Sequence, residues 1–218
     1  YRSVCGDEME AVNHMKQVLE SEGFTPSIVP LNPAIKQHPE YSNYTVEPSW
    51  EGRGNLVTDY GGSGEGRSLI LNAHLDIVPA EAWPEAYEPR RDGDIIIGRG
   101  ACDDKGGVVA CFLALKALKD AGIETAGRLS LHNVIDEETG GNGTLSLLYD
   151  GYTADAAIVG ECNENTIAPA NRGALWFQLR TTGIATHMGE IDKGVSAIDK
   201  AYQAIGILKE YERYLIDN

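Results

Sequence analysis

The run Leu-Ile-Leu-Asn-Ala-His74-Leu-Asp76 constrains this chain more than any other stretch. It is apolar, consistent with a buried strand, and it finishes on a His and an Asp separated by one residue. Residues two apart on a strand face the same way, so the imidazole can serve as a metal ligand while the carboxylate orients it. Further on, Gly98-Arg99-Gly-Ala-Cys-Asp103-Asp104-Lys105-Gly-Gly sets acidic side chains in a Gly-bounded turn just ahead of a helical pattern.

The same arrangement recurs along the chain. Residues 128–135 read as a strand that ends on Asp136-Glu137-Glu138, and 156–159 as a buried strand that ends on Gly160-Glu161. Shorter strands are expected at 27–29 and 55–58, separated by an irregular stretch from Leu31 to Gly54. Helical spacing of apolar residues covers 7–22, with Asp7 as N-cap, and 106–121, closed by Gly122. A short helix is expected at 144–148 and a longer one from about Val195 to Tyr214. Strands that alternate with helices imply an α/β sheet covered on both faces. Four clusters then fall at strand ends: His74/Asp76, Asp103, Glu137/Glu138 and Glu161. A site in an open α/β sheet lies outside the carboxyl ends of its strands, so one site assembled from loops is expected. From Gly173 the character changes, with Leu175, Phe177 and Leu179 alternating with Trp176, Gln178 and Arg180 as a half-exposed strand.

The 218 residues suffice for one ordinary domain and part of a second. Lys and Arg number 18 against 33 Asp and Glu, a net charge of -15 that argues against nucleic acid or an anionic membrane as partner. No run reaches the length of a membrane span, and Tyr1-Arg2-Ser3 is not a signal peptide. The sequence does not begin with Met, so the first residues of the gene product are expected to be missing. Cys5, Cys102, Cys111 and Cys162 show no CxxC spacing, which favours a reducing cytoplasm.

Neutral imidazole with several carboxylates is a ligand set that zinc and its neighbours accept. Two such ions hold and acidify a water between them and polarise the carbonyl it attacks. A further carboxylate that is not a ligand then carries the water's proton to the leaving nitrogen. The ordered motifs His74-x-Asp76, Gly98-Arg-Gly-x-x-Asp103-x-Lys-Gly-Gly, Asp136-Glu137-Glu138-x-Gly and Gly160-Glu161 resemble the co-catalytic zinc hydrolases. That family includes aminoacylase, acetylornithine deacetylase, succinyl-diaminopimelate desuccinylase, carnosinase and glutamate carboxypeptidase. The best likeness is to the acetylornithine deacetylase/succinyl-diaminopimelate desuccinylase type. Gly183-x-x-x-His187-x-Gly with Gly194-Val-x-Ala-Ile198 looks like the start of that family's lid and dimerisation domain.

The resemblance implies a three-layer α/β/α catalytic domain with a mixed, mostly parallel sheet over residues 1–171, and the beginning of a smaller α+β lid domain over 172–218. It implies that His74 binds a first metal, Asp103 bridges two, Glu161 completes the first site and Glu138 binds the second. Glu137 becomes the general base, Asp76 holds the His74 ring, and His187 reaches across a homodimer to the partner's substrate. The ions would be Zn2+, two per complete site, with Co2+ or Mn2+ as substitutes, and the substrate an N-acyl amino acid or small peptide. The family's last ligand, a His near its C-terminus, has no match before Asn218, and the rest of the lid is absent with it. The alternative is a relative that keeps the fold and one metal for binding or assembly; a spare general base at Glu137 argues for the hydrolase. A di-zinc aminopeptidase is a third reading, and the lid-like 183–198 segment leans away from it.

Other polar residues have plainer expectations. Asp104 reads as a solvated or helix N-terminal charge, and Cys102 and Cys162 as packing residues whose side chains point away from Asp103 and Glu161. His14 and His38 are expected at the surface and His132 inside a strand as a structural residue. Arg172 is either a ligand for a substrate carboxylate or a surface charge.

Overall fold

Apolar alternation along the strands sorts their side chains to two faces, and each face is covered by helices that supply an apolar stripe of their own. The computed structural model describes residues 1–164, 166–170 and 177–217. The chain divides into two units, Tyr1–Ile167 and Ala168–Asn218.

The first unit is built on a five-stranded sheet of β1 (Ser27–Pro30), β2 (Gly54–Gly61), β6 (Arg128–Val134), β3 (Leu69–His74) and β7 (Ala156–Val159), in that spatial order. A separate hairpin pairs β4 (Arg90–Asp92) with β5 (Ile95–Ile97). β1, β2 and β6 pair antiparallel, whereas β6, β3 and β7 pair parallel. Helices α1 (Met9–Ser21) and α2 (Lys105–Asp120) cover one face, with Val12, Leu19, Phe112 and Leu115 packed on Leu56, Leu71 and Leu131. On the other face Leu147 of α3 (Asn142–Tyr149) meets Val57 and Val134. Burying each such side chain contributes roughly 1.5–3 kcal/mol. This is the expected three-layer α/β/α arrangement, with parallel pairing at the centre and antiparallel strands at one edge.

Three local expectations are corrected. Asp7 does not cap α1. Glu8 occupies the N-cap position without a capping bond, because its carboxylate is taken by Arg53, while Asp7 pairs with Arg2 at 2.8 Å. The irregular 31–54 stretch contains a 3-10 turn at Pro33–Gln37, capped by Asn32. β7 is a strand but not a buried one: it ends the sheet order, and all four of its residues are exposed. An apolar run reads the same at an edge as in the centre of a sheet.

The second unit holds a bridge between Ile184 and Val195, a 3-10 segment at Met188–Lys193, and α4 (Ala197–Asp217), with no buried residue in either helical element. Phe177–Arg180 forms no strand. The remainder of that expected strand, Gly173 to Trp176, and Arg172 lie outside the described residues. Among the described residues no helix is long and apolar enough to cross a membrane.

Candidate metal centre

Parallel pairing decides where the chemistry collects. In β3 and β6 the register matches His74 with Val134, and in β3 and β7 it matches Asn72 with Val159. The three strands therefore stop side by side, and the residues that follow them emerge at one end of the sheet. β3 delivers His74 and Asp76, β6 delivers Glu137 and Glu138, and β7 delivers Glu161. Asp103 comes from the turn that opens α2. Gly107 lets that turn sit close: a Cβ there would overlap the Gly160 carbonyl oxygen and the Asp104 carboxylate. This is the physical content of the Lys-Gly-Gly run after the two aspartates.

His74 is 1% exposed. Its Nε2 lies 3.0 Å from Asp103 Oδ1 and 3.8 Å from Glu137 Oε2. Its Nδ1 lies 3.0 Å from the Asp76 carbonyl oxygen and 3.5 Å from Asp76 Oδ1. An Nδ1–H donated toward Asp76 turns Nε2 to the carboxylates, where a cation that displaces the Nε2 proton would meet its lone pair. Asp76, fully buried, also accepts the Glu138 backbone N–H at 3.0 Å through Oδ2, so it ties the ends of β3 and β6 together.

Ligand atoms of His74, Asp103 and Glu138 lie within 4.8 Å of one another, as do those of Asp103, Glu161 and Cys162, and those of His74, Asp104 and Glu161. Asp103 belongs to the first two groups and so occupies a position between them. The electrostatics describe a nest that wants a cation. Burial opposes charge on His74, but the hydrogen bond and charge of Asp76, with Glu137 and Asp104, outweigh it and push the imidazole up to about 10. Burial first, and then neighbouring carboxylates, raise Glu137, Glu138 and Glu161 above the usual carboxylate range, against the lowering influence of His74. Asp104 Oδ1 is buried without a hydrogen-bond partner, whereas Asp76 Oδ1 faces the His74 Nδ1. One imidazole, several carboxylates and an orphaned buried carboxylate oxygen make a donor set that fits zinc and its neighbours.

Two readings of single residues change. Asp104 stands at the N-cap position of α2, the helix N-terminal place that one of its two readings gave it, but it is not solvated. It is 1% exposed, accepts the His74 backbone N–H at 3.2 Å, and is raised to about 7, chiefly by burial. Cys102 and Cys162 are exposed rather than packed, and the Cys162 thiol lies on the same side as the Asp103 and Glu161 carboxylates. The expected alternation fails because a tight turn, Asn163 N–H to Glu161 O at 3.0 Å, reverses the chain at Cys162. His132 is buried and hydrogen-bonded to Ser130 within β6. His14 is exposed and His38 half-buried. His187, in the second unit, is exposed and accepts the Gly189 N–H at 3.1 Å.

Sequence reading did not find the support beneath Glu137 and Glu138. Asp136 sits at φ +70°, a left-handed conformation that Asp tolerates better than most residues. It is held by Arg53 Nη2 at 3.3 Å, Thr139 Oγ1 at 2.6 Å, Cys5 Sγ at 3.2 Å and the Tyr44 hydroxyl. Arg53 also pairs with the buried Glu8. Asp136 was visible as part of its motif. Arg53 and Glu8 carry no local signal, being 45 residues apart.

A match to peptidase family M20/M25/M40 spans residues 70–203, and the chain belongs to this family. It is 35% identical over 161 residues to an N-formyl-4-amino-5-aminomethyl-2-methylpyrimidine deformylase of Bacillus subtilis, covering 67% of this chain and 38% of that protein. It is 37% identical over 150 residues to an acetylornithine deacetylase of Myxococcus xanthus, with the same two coverages. A tripeptidase structure from Staphylococcus aureus superposes with a TM-score of 0.62 at 22% identity, over 94% of this chain and 52% of that one. The chain thus spans well under two thirds of the length of these relatives.

Proposed function

We propose that this chain carries most of the catalytic half of a metal-dependent amidohydrolase that removes the acyl group from an N-acyl amino acid or cleaves a small peptide. The observation that carries this reading is the convergence of His74, Asp103, Glu137, Glu138 and Glu161 on one end of three parallel strands. The ions, with zinc the best fit to the donor set, would be held by His74, Asp103, Glu138 and Glu161. When bound they acidify a water and polarise the scissile carbonyl.

The chain's own residues supply the rest. Asp76 fixes the His74 ring so that Nε2 faces the centre. Glu137, raised by burial and by its neighbours, takes the water's proton and returns it to the departing nitrogen. Residues 1–171 form the catalytic domain and 172–218 open a lid through which the protein dimerises, where His187 serves the partner's substrate. Four free cysteines fit a cytoplasmic protein. The deacetylase and deformylase relatives favour an N-acyl substrate.

Metal analysis after dialysis is the test. The chain should retain zinc and His74→Ala should lose it, while in the full-length protein Glu137→Gln should keep its metal and lose hydrolysis of N-acyl amino acids. Zinc retained equally by His74→Ala would refute the centre.

A further inference from the structure

We propose that Cys162 is a thiolate ligand of the ion held by Asp103 and Glu161, so that this half of the centre selects a thiophilic divalent cation, zinc or cadmium, over manganese. The proposal rests on the metal centre described above and adds to it a donor chosen by geometry. The ligand atoms of Asp103, Glu161 and Cys162 lie within 4.8 Å of one another. An ion that takes carboxylate oxygens at about 2.0–2.2 Å and sulfur at about 2.3 Å draws three such atoms together with small movements.

Three observations separate this thiol from a packing residue. Cysteine is among the residue types most often buried, yet Cys162 is exposed at the mouth of the carboxylate cluster. The Glu161–Asn163 turn brings the side chain round to the side of its ligand neighbour. Independently, Asp104 is 1% exposed with Oδ1 unpartnered, and it groups with His74 and the same Glu161. A buried carboxylate oxygen with no donor is costly to leave unmet, and a cation at Glu161 supplies the missing partner. Coordination forms a metal–sulfur bond, displaces one water from the ion and releases the thiol proton to solvent. Soft thiolate prefers zinc and its heavier congener, whereas manganese prefers oxygen.

The test loads the 218-residue chain with Co2+ and records its absorption spectrum, alongside Cys162→Ser and Cys102→Ser. Both positions are exposed, so folding is preserved and circular dichroism verifies it. The expected result is a near-ultraviolet thiolate-to-cobalt band in the wild type and in Cys102→Ser, lost in Cys162→Ser, while the visible cobalt bands persist. Cadmium affinity should fall in Cys162→Ser on the order of tenfold or more, the scale on which even outer partners of a metal act, with manganese affinity unchanged. Cobalt bound without the ultraviolet band, or a band lost only in Cys102→Ser, overturns the thiolate ligand and leaves the hydrolase reading standing. No cobalt bound by any of the three overturns both.

Discussion

The middle and the end of the same sheet each bury one histidine, and they are opposite in character. His132, in β6, lies in register with Asn72, two residues before His74 on β3. Both imidazoles are nearly inaccessible. Burial pulls His132 down to about 4, with only distant charges near it and a hydroxyl for a partner. Burial opposes the charge on His74 as well, yet the carboxylates gathered at the strand ends reverse the outcome and hold it near 10. Burial alone therefore makes a silent structural histidine. What makes a cation site is the convergence of loops at the carboxyl ends of parallel strands.

The largest effects should come from breaking the end and sparing the middle. Glu137→Gln should reduce turnover by roughly a hundred- to ten-thousand-fold with metal content unchanged. His74→Ala should weaken metal binding on the order of a hundredfold or more, and His132→Gln should leave it as it was. Equal metal loss in both histidine variants, read by elemental analysis, would erase the distinction.

Arg53→Met comes next. It strands Glu8 and Asp136, both fully buried, without their shared cation. Removing one partner of a buried ion cluster costs about 3–5 kcal/mol, and denaturant unfolding should show it. The double variant Arg53→Met with Glu8→Gln should recover part of the loss; no recovery would mean that the guanidinium acts by packing alone.

The pH dependence of stability tests the middle. His132 is neutral in the fold and its folded value, about 4, lies below the unfolded 6.5. The folded state thus binds fewer protons, so this contribution is complete above pH 6.5 and is lost as the pH falls toward 4. The loss is on the order of 3 kcal/mol for a shift of this size. His132→Gln should flatten that limb of the curve, and an unchanged limb would place the acid sensitivity elsewhere.

How much of this was legible depended on whether the signal was local. The strands, the α2 helix and the residues at their ends could be read because apolar runs, Gly stops and acidic pairs are short-range patterns. The turn at Cys162 was not, since one hydrogen bond between Glu161 and Asn163 undoes an alternation that the sequence otherwise suggests. Asp104 looked like any acid ahead of a helix; its burial comes from the backbone of His74, which the sequence places 30 residues away. β7 reads as buried because its residues are apolar, and its exposure at the sheet edge is a property of its neighbours.

The smallest expected effect probes how closely the end of the sheet is packed. Gly107 lies in the first turn of α2, where a methyl group would meet the Gly160 carbonyl and the Asp104 carboxylate. Gly206, inside α4, has no neighbour within 4 Å of its ideal Cβ. Alanine at 107 should cost about 1–3 kcal/mol, as overpacking does, and should weaken metal binding because β7 and the Asp103 turn are pushed apart. Alanine at 206 should stabilise its helix by about 0.5–1 kcal/mol, since it removes glycine's entropy cost and adds no contact. Thermal unfolding with zinc titration separates the two. If Gly107→Ala bound zinc like the wild type, the contact between α2 and the end of β7 would set stability only, and the position of Asp103 would have to be fixed by its hydrogen-bonded neighbour His74 instead.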